Sequence, residues 1–472
     1  MLEERTKTPF DRSEAERPLV RALVHTPSLE DSIRNQEESA IKLIDLGSFE
    51  YIETIFLPPG DSQIRNLLQS KGVTICDLDC QDKTLILSYS GSKKSSAKSK
   101  YSMEAIVGYC FGKDPEQEVC SSSRVKWKEL IAGRNHRDSK QNPFGLFDYF
   151  VVGENDPFMS SQLRTNREVT PTELLELVRI LCAGLGIFEI RPHFYVDEGF
   201  YYLYRFKKIF HSYQKAWTIV CEANGKSIPE EVFYQFQSLS IRLEFICRAV
   251  DKVSFFALKS PNNNTLYNAS YHLAFLILLI TGCFDDLAWI AKHLYCLNLD
   301  KHDIEIKIPI KEQRSKFTKK LREHNQNLAD FLENDDTKIK INLFNHIRDS
   351  IMHREFLTGA TCQVHDSGTT KSFITIYPPN EFLDLFKCSG YSFDAWGLVT
   401  LGNEIHIEPY LFCTQALFHC AQVVNTFLGL IVWDDYIGEF SEEQLKRISE
   451  RIALYESSLA TFLNWSAEPI YF

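Results

Sequence analysis

From Pro229 onward the sequence carries stretch after stretch with apolar residues every three or four positions, and one of these stretches is apolar on nearly every side. EEVFYQFQSLSIRLEFICRAVDKVSFFAL places Phe236, Leu239, Leu243, Ile246 and Val250 on one helical face. After SPNNNT comes TLYNASYHLAFLILLITGCFDDLAWIAKHLY, which has almost no polar face across its centre. A helix of that kind has to be surrounded by protein, so the chain must build a bundle around it. QRSKFTKKLREHNQNLADFLE predicts a third, more polar helix, NDDTK a break, and KINLFNHIRDSIMHREFL a fourth helix with Gly359 as its C-cap. SFITIYP and WGLVTLGNEIHIEP then read as strands of a β-insert, the second a hairpin turning at Gly402-Asn403. A fifth helix, LFCTQALFHCAQVVNTFLGLIVW, and a sixth, opened by Ser441 in a capping-box pattern, complete the region.

The apolar run Leu273 to Phe284 stops at Asp285 and Asp286, too short to span a bilayer. Leu411 to Trp433 is longer, but Gln415, His419, Gln422 and Asn425 interrupt it, which suits a buried bundle helix. The first eighteen residues are charged and hold no apolar stretch of the signal-peptide kind. These features predict a cytoplasmic protein with no membrane partner.

Before Pro229 the patterning is different. Residues 1–40 are polar and predict a mobile arm or a loosely docked helix. Residues 41–165 predict a β-rich domain. IKLIDLGSFEYIETIFLP reads as strand, turn and strand, VTICDLDCQDKTLILSYSG as a hairpin turning at Gln81-Asp82-Lys83, and FDYFVVG as a further strand. The Ser/Lys segment 91–100, with four lysines, reads first as a solvated hairpin tip and second as a phosphate-contacting loop. Residues 166–228 form a connecting segment, with a helix starting at Thr170-Pro171-Thr172 and a strand then a helix over 196–222. The expected fold class is therefore mainly α with a β-containing N-terminal domain (α+β), and residues 229–472 form the helical domain.

A net charge of −11 excludes a protein that coats nucleic acid with its whole surface. Residues 301–356 hold 12 Lys plus Arg against 10 Asp plus Glu, about +2, which permits a local phosphate-binding groove. The 13 cysteines contain no CxxC pair, and most sit among apolar neighbours, as buried thiols of a reducing compartment do. Cys362 and His365 are two metal-ligand types without a matching pair, so no metal and no cofactor are expected. There is no phosphate-binding Gly-rich loop, no GxSxG and no HExxH.

The stretch that carries chemistry is FNHIRDSIMHRE on the fourth helix, with Asn345, Arg348, Asp349 and His353. Phe344, Ile347 and Ile351 make its apolar stripe. Asp349 and His353, four apart, share a face. Arg348 and His353 are five apart, roughly 140° around the helix, and flank one polar edge. His346 and Arg354 stand close by. The basic run Arg314, Lys316, Lys319, Lys320, Arg322 and His324 precedes the motif and suits an RNA backbone or a solvated face. Arg205 and His211, six apart among aromatics, are a weaker echo of the same pair.

Arg348-Asp349-Ser350-Ile351-Met352-His353 resembles the signature of HEPN domains: an arginine, a polar residue, three more residues and a histidine. The resemblance spans about residues 229–435. The β-insert after the motif is similar to HEPN proteins of the abortive-infection type. The resemblance implies a metal-independent endoribonuclease acting as a toxin or antiphage effector, with RNA as substrate and a homodimer or higher homo-oligomer as the working form. It implies Arg348, His353 and Asp349 as the catalytic group, while Asn345 and Arg354 beside the motif and Lys319, Lys320 and Arg322 of the basic run are the candidate substrate contacts by position and charge. The N-terminal domain would then sense a phage-derived or nucleotide trigger, or hold the nuclease inactive. Two other uses of the same residues stay open: a non-catalytic module for dimerisation or partner binding, and a nucleotide-binding accessory protein.

Overall fold

Val20–Val24 lies inside the segment expected to be a polar arm, yet it is buried at all five positions and forms the central strand, β1, of a parallel sheet. The computed structural model describes residues 7–81, 84–88, 148–154, 168–191, 194–309, 311–353, 357–364, 369–376, 383–384, 386–387, 390–401, 404–437 and 440–455. The chain divides into two compact units, Met1–Tyr195 and Val196–Phe472. It is mainly helical, with a small parallel sheet in the first unit and a small antiparallel sheet in the second.

In the first unit β1 is followed by α1 (Glu30–Arg34), α2 (Glu38–Leu46), β2 (Ile52–Phe56), α3 (Ser62–Ser70) and β3 (Thr74–Ile75). A hairpin comes next, β4 (Asp77–Gln81) with β5 (Thr84–Ser88), then β6 (Tyr149–Val151), β7 (Glu168–Val169), α4 (Pro171–Gly184) and the short pair β8 (Glu189–Arg191) and β9 (Phe194–Tyr195). The sheet order is β3-β2-β1-β6-β7, parallel throughout. It is an α/β unit, where a β-rich domain over 41–165 was expected. A parallel central strand is covered on both faces, so its polar residues need partners inside the protein. Arg21 finds one in Glu53, with Nε 2.5 Å from the carboxylate. The helix α2 corrects the strand expected at IKLIDL: Ala40, Leu43 and Ile44 turn one helical face into the core.

The strand order reverses between β1 and β6, and open α/β sheets usually hold ligands at the carboxyl end of such a reversal. At that end the loop after β1 touches the loop after β6. The Gly153 N–H donates to Ser28 Oγ at 2.9 Å, and the Ser28 carbonyl sits where a Cβ of residue 153 would project. Gly153→Ala is therefore expected to push the loop after β1 away and cost about 1–3 kcal/mol. Urea unfolding of the full chain checks this, and unchanged stability would mean the loop gives way freely.

The second unit runs α5 (Glu198–Ile209), α6 (His211–Ala223), α7 (Glu230–Ala257), α8 (Asn263–Leu294), α9 (Lys316–Arg322), α10 (Gln326–Glu333) and α11 (Asp335–His353). The antiparallel sheet follows, with β10 (Thr358–Val364), β11 (Thr369–Ile376), β12 (Leu398–Leu401) and β13 (Glu404–Ile407) in the order β10-β11-β13-β12. Then come α12 (Pro409–Gly429), α13 (Asp434–Ile437) and α14 (Glu442–Tyr455). The long helices α7 and α8 form a hairpin, α12 packs on both, and α11 packs on α8. By length and composition α8 and α12 pass as membrane spans, but most of each is buried among the other helices.

Several boundaries differ from expectation for local reasons. The unit begins at Val196, so the connecting segment 166–228 is shared between the two units, and 196–222 is two helices. The expected third helix is two, because the Asn325 side chain accepts from the Leu328 N–H and starts a new helix there. The break expected at NDDTK falls on Asn334, whose extended backbone ends α10, and Asp335 and Asp336 then open α11, as acidic residues suit a helix N-terminus. Gly359 is no C-cap. It lies in β10, and a Cβ there would collide with the Leu266 side chain at the start of α8. The segment 91–100, the turn residues Asp82, Lys83, Gly402 and Asn403, and Arg354 and His365 lie outside the described residues.

Candidate nucleic-acid site

The apolar face of α11 fixes where the motif stands. Ile341, Phe344 and Ile347 are buried, and the Phe344 ring meets Phe284 of α8 with centroids 6.2 Å apart. That leaves Arg348 and Asp349 half-buried along the edge of the α8–α11 contact. The Arg348 guanidinium donates twice to Asp349 Oδ1, from Nη2 at 2.8 Å and Nε at 3.1 Å. Lys307 Nζ stands 3.7 Å from the other carboxylate oxygen. Burial works to raise the Asp349 pKa, but the hydrogen bond from Arg348 and the charges of Arg348, Lys307 and His346 outweigh it and hold the carboxyl below its ordinary value.

Two further carboxyls border this edge. Surrounding protein raises the pKa of Asp285 on α8, against the pull of Arg348 and Arg242. Burial likewise raises Glu305, with Lys307 and Arg348 opposing. Next to Asp285 in the chain, Asp286 takes the Arg242 guanidinium at 2.8 Å and the Ser238 hydroxyl at 3.3 Å. Arg242 lies directly over Gly282, the one residue of α8 there with no side chain to block it. Sequence reasoning missed Asp285, Glu305, Lys307 and Arg242 as neighbours of Arg348. The one available signal was the acidic pair that ends the apolar run of α8.

His353 stands apart from Arg348. It is exposed at the end of α11 and has no hydrogen bond or ion pair with the described residues. Phe344 meets Phe284 while Gly359 meets Leu266, so the chain runs back along α8 toward its start. Nine residues beyond Phe344, His353 lies about 14 Å further on, near the level of Phe275. Within one copy the two candidate groups occupy different sides of the helix.

The expected substrate contacts are dispersed. Asn345 is buried, and its amide donates to the Ile341 carbonyl at 2.9 Å, so it has no route to a ligand and the sequence expectation is corrected. Lys319 and Lys320 are exposed on α9, where Lys320 pairs with Glu323. Arg322 pairs with Asp330 and Glu333. Their helix leads into Asn325, which bonds Tyr295 Oη. Tyr295 is ten residues past Asp285, so this basic helix lies about 15 Å along α8 from the motif. Arg205 pairs with buried Asp251, and His211 begins a different helix, so that second pair is structural. Among the described residues no three His, Cys, Asp or Glu side chains are placed to hold a metal ion.

Asp286 and a second buried group, His419, make opposite demands on pH. The His419 ring lies flat on Trp396, centroids 4.8 Å apart, and burial lowers its pKa from 6.5 to about 4. As pH falls through that window the unfolded chain takes a proton the folded chain refuses, so stability falls by roughly 3 kcal/mol. Burial raises Asp286 from 3.8 to about 6. There the folded chain takes the proton first, and stability rises by roughly 3 kcal/mol as pH falls. Compared with the parent between about pH 6.5 and pH 4.5, His419→Phe is expected to gain stability on acidification and Asp286→Asn to lose it. Urea unfolding at both pH values reads this, and parallel pH dependences for all three proteins would refute it.

Neither a protein-family model, nor a curated protein, nor a solved structure matches this chain.

Proposed function

We propose that the protein is a metal-independent endoribonuclease of HEPN type, working as a homodimer in the cytoplasm as a toxin or antiphage effector. The observation that carries the reading is the half-buried Arg348–Asp349 pair on the same helix as an exposed His353 that has no hydrogen bond or ion pair with the described residues. A guanidinium holds a phosphodiester through paired hydrogen bonds and stabilises charge on the pentavalent transition state. An imidazole titrating near neutrality takes the proton of the neighbouring 2′-hydroxyl or gives one to the leaving 5′-oxygen. Attack by that hydroxyl leaves a 2′,3′-cyclic phosphate. The N-terminal unit is assigned the control of this activity, through a phage-derived or nucleotide trigger.

A second copy supplies what one copy keeps apart. Phe275 and Leu278 on α8, with Ile241 and Phe245 on α7, are large apolar side chains left exposed. On α8 they continue the spacing of a coiled-coil seam through Gly282 to Asp285, beside Arg348. Pairing two such seams buries the apolar strip and sets the Arg348 of one copy toward the His353 of the other.

Purified protein incubated with total RNA in EDTA tests the reading. Cleavage with 2′,3′-cyclic ends is expected from the parent, and none from His353→Ala with its fold intact. Phe275→Asp/Leu278→Asp is expected to sediment as a monomer and to be inactive. An inert parent would favour a non-catalytic dimerisation module, and stabilisation by a mononucleotide that is lost in Arg348→Ala would favour a nucleotide-binding accessory.

A further inference from the structure

The turn end of the α7–α8 hairpin combines a run of chain without acidic residues with exposed aromatic rings. Lys252 to Phe284 is 33 residues without one Asp or Glu, in a chain of net charge −11. Within it stand Lys252, Lys259 and His272, and two exposed phenols one helical turn apart on α8, Tyr267 at 70% and Tyr271 at 62% exposure. The rings form a connected series. Tyr271 meets His272 edge-on at 5.1 Å, and His272 lies parallel to Phe256 at 5.8 Å. Lys259 Nζ stands 4.6 Å from the Phe255 ring centroid. Exposed asparagines 263, 264 and 268 border the phenols.

Exposed phenols at one-turn spacing and lysines, in a stretch of chain without an acidic residue, are elements of a single-strand platform: bases stack on the rings while cations follow the phosphates. The phenols continue the seam that holds Phe275 and Leu278, but they carry hydroxyls and lie among amides, which suits a wet surface more than a dry interface. The platform also lies near the level of His353, because α11 ends alongside Phe275 and β10 meets Leu266. We propose that Tyr267 and Tyr271, with Lys252 and Lys259, bind single-stranded RNA by base stacking and feed it toward His353. The proposal rests on the ribonuclease reading for its direction, but its binding step stands alone.

The test uses the full chain and a fluorescein-labelled 2′-O-methyl oligonucleotide, which has no free 2′-hydroxyl and cannot be cleaved by that route. Fluorescence anisotropy is expected to show salt-dependent binding, and tighter binding to the single strand than to its duplex. Tyr267→Ala/Tyr271→Ala is expected to weaken binding by about tenfold or more, and Tyr267→Phe/Tyr271→Phe to restore most of it. Lys252→Ala/Lys259→Ala should reduce the slope of log affinity against log salt by about 1.4. Unchanged affinity in the double alanine variant would overturn the platform, whether or not the parent cleaves RNA. Loss of the dimer by sedimentation in that variant would also overturn it and assign the face to a second copy. Ring-dependent binding by a parent that cleaves nothing would leave the platform standing and remove the nuclease.

Discussion

An Arg348→Ala chain co-expressed with a His353→Ala chain is expected to cleave RNA, at least about tenfold faster than either variant alone. Each single variant is expected to be nearly inert. Removing a general acid or base typically costs 10²–10⁴ in rate, and removing a preorganised charge donor about 10²–10³. Recovery on mixing follows from the geometry of α11. Arg348 is tied to Asp349 at the α8 edge, whereas His353 is exposed near the level of Phe275, roughly 140° around the same helix. If the working pair is one Arg348 and the other copy's His353, a mixed dimer keeps one intact pair. Differently tagged chains, purified through both tags, supply the hybrid. A hybrid as inert as its parents, with wild-type dimers active, would mean that the two groups act within one copy or not together.

The second large effect concerns the first unit and is one of stability. Arg12 and Asp148 are both nearly fully buried and meet through two short hydrogen bonds, Nη2 to Oδ1 at 2.6 Å and Nη1 to Oδ2 at 2.7 Å. Arg12 also donates to the carbonyls of Leu19 and Lys7, and Asp148 accepts the Arg21 N–H at 2.9 Å. One ion pair thus ties the segment before β1 to the start of β6, strands whose residues are 127 apart at the Ala22–Tyr149 register. Truncating either partner leaves the other charged and buried, so Arg12→Ala and Asp148→Ala are each expected to cost about 3–5 kcal/mol. The apolar replacement Arg12→Met/Asp148→Leu is expected to cost less than the two single alanine losses added together, because it strands no charge. Denaturant unfolding gives the totals, and hydrogen exchange at the amides of Val20–Val24 locates them. Losses of under about 1 kcal/mol would show that water reaches the site and screens the pair.

The sequence spoke clearly where local chemistry decides. The helix expected to start at Thr170 does so, with Thr170 and Glu173 in a capping box, Pro229 stands at the N-cap of α7, and Ser441 caps α14 through Gln444. It spoke poorly where distant segments decide. VRALV has five residues and a charge at its second position, and only the later arrival of Glu53, Asp148 and Tyr149 makes it a core strand. IKLIDL fits a period of two and a period of 3.6 equally well, because six residues are too few to separate them. At the candidate site the motif helix and its burial were readable from Phe344, Ile347 and the polar residues between. The partners Asp285, Glu305 and Lys307 were not, since they reach Arg348 from another helix and an irregular segment.

The order of strands in the first unit has a consequence for synthesis. The central strand's first neighbour, β2, emerges from the ribosome soon after it, but the second, β6, follows more than a hundred residues later. At 5–20 residues per second that delay is roughly 6 to 25 seconds. Through that interval β1 offers one unpaired edge, and the Arg12 guanidinium and the Arg21 N–H wait without the Asp148 carboxylate that will hold them. The nascent chain is therefore prone to sticking to its neighbours early in translation, well before the helical bundle has been made.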